Sequence, residues 1–203
     1  VQVDGPHGGL RNVTGGDEQF LVFNIQTPAA LRDNLRQSAL ELALLVDLLD
    51  ALSLDASACL GLSVPAGAGI VGIAGRGLAL IGHSMGASIA PLTAAFEPRY
   101  RALVLSGAGG SWLENVLYKL SPLATRPIAE SLLRYTSIRR SLREDDPVLN
   151  LLQWAGEDAD AQVYAPLLVR EPARGSPRHI LMFQGVVDTY IPPPVANTLT
   201  VAL

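Results

Sequence analysis

One cysteine, three histidines and no surplus of positive charge bound what this sequence can do. Cys59 stands alone, so no intrachain disulfide forms and no second thiol serves a thiolate metal site of the usual spacing; its expected role is that of a small apolar residue. With 15 Lys and Arg against 19 Asp and Glu, the net charge of −4 provides no broad basic surface to follow a phosphate backbone, which excludes nucleic acid as an expected partner. The arginines Arg134, Arg139, Arg140 and Arg143 read as one solvated helix face. The opening Val1-Gln2-Val3-Asp4 lacks the basic start and apolar run of a signal peptide, so the chain has none or is seen without it. Charge is also absent from residues 56–75, a stretch about as long as a membrane span. Pro65 and Gly61, Gly67, Gly69, Gly72 and Gly75 weaken any helix there and Arg76 follows, so a Gly-rich connection is expected rather than stable membrane insertion. There is no internal repeat and no low-complexity tail.

What is present is apolar: 49% of 203 residues are hydrophobic and 17% charged, enough for one single-domain core spanning residues 1–203. Leu31, Leu35, Leu42, Leu45, Leu48 and Leu49 recur near a 3.6-residue period, with Arg32, Asp33, Arg36 and Glu41 off the stripe; the pattern predicts a helix over about 29–52. Three short apolar runs, 78–81, 102–105 and 180–183, read as strands buried on both faces, and residues 87–95 return to helical character despite Pro91. Strands alternating with helices predict the α/β class, a mostly parallel sheet with helices on both faces. Between Ser111 and Pro177 the composition is helical and proline-punctuated, and residues 195–203 read as an unfinished helix.

The chemistry points to Gly82-His83-Ser84-Met85-Gly86. A serine hydroxyl is a poor nucleophile at neutral pH, so an enzyme must expose it, set a base beside it and stabilise the oxyanion its attack creates. A strand before the serine and a small-residue helix after it provide the exposure. Gly82 and Gly86 are expected to leave room in the tight bend, and the first N–H groups of the helix favour developing negative charge. Ser84 is thus the candidate nucleophile and the Met85 backbone N–H the candidate oxyanion donor. His83 is expected to point away from its neighbour and to pack. Gly67-Ala68-Gly69-Ile70-Val71-Gly72 matches a dinucleotide fingerprint in letters only, since neither an opening helix nor an acidic residue about twenty positions on accompanies it. Ser106-Gly107-Ala108-Gly109-Gly110 is expected to border the cleft. Glu157, Asp158 and Asp160 read as a solvated acidic loop, so neither metal nor organic cofactor is expected.

With this elbow the chain resembles the α/β-hydrolase family, in particular bacterial esterase- or lipase-like members with Gly-His-Ser-Met-Gly at the turn. The resemblance implies cleavage of a small-molecule ester or lipid-like substrate through an acyl-enzyme on Ser84. In that family an acid follows a later strand in a Gly-x-x-Asp-x-x-x-Pro pattern, matched here by Gly185-Val186-Val187-Asp188-Thr189-Tyr190-Ile191-Pro192, which makes Asp188 the implied acid. The resemblance also implies a helical cap over about 111–177, where residues such as Trp112, Leu120, Leu132, Leu151 and Trp154 are expected mainly to pack their helices. Residues 28–38 resemble the helix before the elbow strand in secreted or lipoprotein-type bacterial hydrolases, a lean towards an extracytoplasmic enzyme.

The family order of Ser, Asp, His places the base after Asp188, yet no histidine follows it; His7, His83 and His179 all precede it, and His179 opens the strand whose far end leads to Asp188. The expectation is that the chain stops before the last strand and its histidine. The alternative is a non-catalytic relative that binds without turnover. At the front, Asp4-Gly5-Pro6-His7-Gly8 resembles the family's turn after its fourth strand, and a rival alignment makes His7-Gly8-Gly9 the oxyanion loop with residues 20–25 as the next strand.

Overall fold

The computed structural model describes residues 3–24, 27–57, 59–61, 69–73 and 77–203. After a short helix α1 (Glu18–Val22), helix α2 (Pro28–Ala51) runs for 24 residues, within a residue of the periodic pattern at each end. Pro28 sits in its first turn, where a missing N–H costs no intrahelical bond. Where only a connection was expected, β1 (Ser53–Asp55) and β2 (Ile70–Gly72) form an antiparallel ribbon. Part of the charge-free stretch and of the glycine motif, including residues 62–68, lies outside the described residues. Among the described residues no helix is long and apolar enough to cross a membrane.

Next come β3 (Leu78–His83), α3 (Met85–Phe96) and β4 (Tyr100–Ser106). Five helices follow: α4 (Trp112–Tyr118), α5 (Thr125–Leu132), α6 (Pro147–Gly156), α7 (Ala161–Tyr164) and α8 (Pro166–Val169). The described chain closes with β5 (His179–Phe183) and α9 (Pro193–Ala202). The three apolar runs form one parallel sheet in the order β3-β4-β5, with Ile81, Val104 and Leu181 in one row across it and His83, Ser106 and Phe183 in a row two positions further on. This is the expected α/β fold.

Alternation along the strands sorts side chains between two unlike faces. On one, Leu80, Leu103, Leu105, Ile180 and Met182 join Ala87, Ile89, Ala90, Leu92, Ala94 and Ala95 of α3 in a core that extends through Leu35, Ala39 and Val46 of α2. Buried Thr93 bridges the two helices by donating to Ala39 O at 3.4 Å. On the other face Ile81, Leu181 and Phe183 are 73%, 52% and 53% exposed. The second helical layer expected there is not among the described residues, so these strands are buried on one face rather than two.

Sequence gave no hint of how α3 ends. Arg178, 4% exposed, donates from Nη2 to Ala94 O at 3.1 Å and to Arg174 O at 2.9 Å, placing a cation at the carbonyl end of the helix where the macrodipole favours it. Desolvation lowers its pKa from the ordinary arginine range.

A second apolar cluster, Leu117, Leu142 and Leu149 with Leu113, Val116, Ala129, Leu133 and Tyr135, gathers α4, α5 and α6 away from the sheet. The residues of α7 and α8, including Ala161, Ala165 and Leu168, pack instead in the main core. Several residues expected to pack do not: Leu120, Leu132, Leu151 and Trp154 are 61%, 79%, 60% and 73% exposed. Leu120 lies beyond the end of α4, and the short helices α5 and α6 leave Leu132, Leu151 and Trp154 outside the cluster around Leu117, Leu142 and Leu149. The four arginines do not share a helix face either. Arg134 and Arg139 occupy left-handed backbone between elements, Arg140 pairs with Asp146 and Arg143 with Asp145.

Candidate functional site

The bend at Ser84 holds a non-glycine residue at φ 51°, ψ −116°, a sparsely populated conformation that costs on the order of 1–3 kcal/mol. Three hydrogen bonds secure it. Ser84 N donates to Ser106 O at 2.8 Å, continuing the β3–β4 ladder past the end of the strand, and Ser84 O accepts from Ala87 N at 2.9 Å and Ser88 N at 3.2 Å. Gly82 makes the bend possible: a Cβ there would stand 2.4 Å from Gly86 O and 2.7 Å from Ala87 N. Gly86 is different, since a Cβ on it would meet nothing within 4 Å. The crowding expected of both glycines belongs to Gly82 alone, because the close approach is strand backbone against helix backbone and the missing Gly86 Cβ would point away from it.

Met85, the first residue of α3, is half-buried against the main core. A helix's first N–H groups have no carbonyl one turn back to bond, and the Met85 N–H, at the start of α3, is one of these.

Asp188 follows β5 in a tight loop. Its Oδ1 accepts from Tyr190 N at 2.8 Å and Ile191 N at 2.9 Å, which fixes the carboxylate against its own loop. Gln184 ties the loop's ends together by donating to Gly185 O at 3.1 Å and Ile191 O at 2.9 Å. The second oxygen, Oδ2, faces Gly107. An ideal Cβ on that glycine, which has φ 60°, would lie 3.9 Å from Asp188 Oδ2 and 4.0 Å from Ser84 N. Ser84 and Asp188 therefore flank one glycine, and with His83, Gly107, Tyr190 and Ile191 they line a single cleft of about 280 Å³. The sequence placed these two residues 104 positions apart; the parallel order β3-β4-β5 brings both strand ends to the same rim.

Of the glycine-rich run after β4, Gly107 lines this cleft, while Gly109 and Gly110 are closed in for a reason not visible in sequence. A Cβ on Gly109 would stand 2.6 Å from Val195 Cγ1 of α9, and one on Gly110 would stand 2.7 Å from Gln162 Cβ of α7. Helices from two distant parts of the chain back onto these positions.

The histidines divide. His83, expected to pack, is exposed on the open face of the sheet, with Nδ1 3.2 Å from Ser106 Oγ. His179 pairs in register with Ala102 at the opposite end of the strands from Ser84. His7 has φ 62° and is exposed in the N-terminal segment, where Gly8 N donates to Gly5 O and Leu10 N to Asp4 Oδ2. The rival reading of His7-Gly8-Gly9 called for a strand over 20–25. Glu18–Val22 is helical instead, and residue 25 lies outside the described residues.

Asp160 is not the solvated residue expected. At 3% exposure it accepts from Ser111 N with both oxygens at 3.0 Å, from Gln153 Nε2 at 2.7 Å and from Gln162 N at 3.1 Å, and it caps α7. Burial raises its pKa above the usual carboxylate range and these bonds oppose the shift. Among the described residues no cluster of His, Cys, Asp or Glu is arranged to hold a metal ion.

No family model matches the chain, and no curated protein matches its sequence. Among solved structures, the chain is similar to acetyl xylan esterase 1 from Thermoanaerobacterium sp. JW/SL YS485, with a TM-score of 0.58 and 18% identity over 97% of this chain and 52% of that one. The chain thus spans about half the length of that structure. At this identity the likeness is one of fold, and the fold is of the α/β-hydrolase kind.

Proposed function

We propose that these residues belong to a serine hydrolase that cleaves carboxylic esters of small molecules. In this reading Ser84 Oγ attacks the acyl carbon, and its proton passes to a histidine outside these 203 residues and then to the departing alcohol. Asp188 orients that histidine and stabilises its charged form. The Met85 N–H helps to hold the oxyanion. Water releases the acyl group by the same steps in reverse, and neither metal nor organic cofactor takes part. Residues 111–177 form the proposed cap, with α4–α6 and their separate cluster as its body. The observation that supports the reading most is the shared glycine: Ser84 and Asp188 stand on either side of Gly107 with an open cleft between them. The esterase named in the structural likeness agrees with it at the level of reaction class.

The test is steady-state hydrolysis of a short-chain aryl ester by the protein carrying these residues. Ser84→Ala is expected to lower kcat by about 10⁴-fold or more, with loss of fluorophosphonate labelling at this position. Equal turnover by the variant overturns the nucleophile assignment. A second reading, a binding module without turnover, is favoured by one observation: none of the chain's three histidines has a hydrogen bond to Ser84 or Asp188. Ester binding with no Ser84-dependent turnover would establish that reading in place of the first.

A further inference from the structure

The loop that carries Asp188 also carries two residues that line the cleft beside it, Tyr190 and Ile191, and hydrogen bonds hold the backbone of both. Tyr190 N and Ile191 N share one acceptor, Asp188 Oδ1, at 2.8 and 2.9 Å. Their carbonyls are held as well: Tyr190 O accepts from Lys119 Nζ at 2.6 Å and Ile191 O from Gln184 Nε2 at 2.9 Å. Just before them, Thr189 O accepts from Leu120 N at 3.1 Å and Ser121 N at 3.0 Å, beyond the end of α4. The carboxylate and the wall next to it are therefore one bonded unit, and whatever that wall admits is placed with respect to Asp188.

Ile191 differs from the other residues of that wall. Of the described residues that line the cleft, His83, Ser84, Asp188 and Tyr190 bring polar groups and Gly107 brings no side chain, which leaves Ile191 as the aliphatic one. It is buried, and it packs with Val195 and Ala196 of α9 and with Met182 of β5. Its Cγ2 lies 3.0 Å from the place a Gly109 Cβ would take, so the backbone on that side closes on it. Shortening Ile191 would thus open the cleft towards apolar neighbours. Pockets for drug-sized ligands run from roughly 300 to 1,000 Å³, and a cleft of about 280 Å³ suits a smaller molecule. In so small a space an aliphatic wall meets the part of a substrate that takes no part in the chemistry, and each methylene of that part counts.

We propose that Ile191 determines specificity in the Ser84 cleft: its side chain is the apolar wall that admits a short hydrocarbon arm of an ester and stops a longer one. This rests on the hydrolase reading above and adds to it a substrate class, small esters with a short aliphatic arm. The test compares kcat/KM within matched pairs on the protein carrying these residues. Ethyl hexanoate against ethyl butanoate probes the acyl arm, and hexyl acetate against butyl acetate probes the alcohol arm. The unsubstituted protein is expected to favour the shorter member of the pair whose arm meets Ile191. In Ile191→Ala the longer-to-shorter ratio of that pair should rise about tenfold, with a smaller rise in Ile191→Val. A ratio taken within one preparation does not depend on the folded fraction, and Ile191→Val carries the test should Ile191→Ala fail to fold. Unchanged ratios in both pairs, or an equal loss across them, overturn the proposal and leave the hydrolase reading standing where turnover still needs Ser84. Absence of Ser84-dependent turnover in the unsubstituted protein removes both.

Discussion

The two sides of the cleft are built by opposite means. The Ser84 side is made by packing: a strained residue is trapped between a strand and an alanine-rich helix so close that Gly82 tolerates no side chain, and the buried face of α3 anchors the bend to the core. The Asp188 side is made by hydrogen bonds in a loop whose Val186 and Val187 are 86% and 89% exposed. It holds its shape through Asp188 Oδ1, Gln184 Nε2 and donors lent by residues 119–121. A packed bend resists displacement because any movement creates a clash or a void, whereas a bonded loop keeps its geometry only while each donor finds its acceptor. The Ser84 side is expected to be rigid and the Asp188 side adjustable.

Substitutions that spare one mechanism and break the other test this contrast. The largest effect is expected from Asp188→Asn, which keeps a carbonyl oxygen for the Tyr190 and Ile191 N–H groups and so preserves the loop while removing the charge. Ester turnover should drop by about 10⁴-fold with the melting temperature nearly unchanged. A large fall in melting temperature would show instead that the charge itself holds the loop together. Gly82→Ala comes next. Its Cβ would collide with the Gly86 backbone, and the loss should be about 3 kcal/mol by denaturant unfolding. Smallest is Gly86→Ala, which fills open space inside α3 and should stabilise by about 0.5–1 kcal/mol through helix propensity. Equal responses at the two glycines would dissolve the packing account of the bend.

How far the sequence revealed each side follows from the same contrast. The elbow is local: an apolar strand, a glycine-flanked serine and a small-residue helix lie within about twenty residues, so period and composition suffice to place them. The positions of β3, β4, β5 and α2 were legible for the same reason, whereas the β1–β2 ribbon and the open face of the sheet were not. Asp188 was legible only through a spacing pattern, because what holds its loop comes from Lys119, Leu120 and Ser121, some seventy positions earlier. Asp160 was misread because an acidic run looks solvated until Ser111, Gln153 and Gln162 are seen to converge on one member. The capping of α3 by Arg178 and the crowding at Gly109 and Gly110 belong to the same class: they are meetings of distant segments, and composition does not encode them.

The sheet's uncovered side has a consequence for handling the molecule. Ile81, Leu181 and Phe183 are exposed on one face of the sheet, whose edge strands β3 and β5 have no further strand partner among the described residues. Such a surface wets poorly and offers a ready template for another strand at either margin. Prepared by themselves, these 203 residues are expected to associate more strongly as concentration rises, and a Lys placed at position 81 or 181 should loosen that self-adhesion without touching the bend or the acid loop.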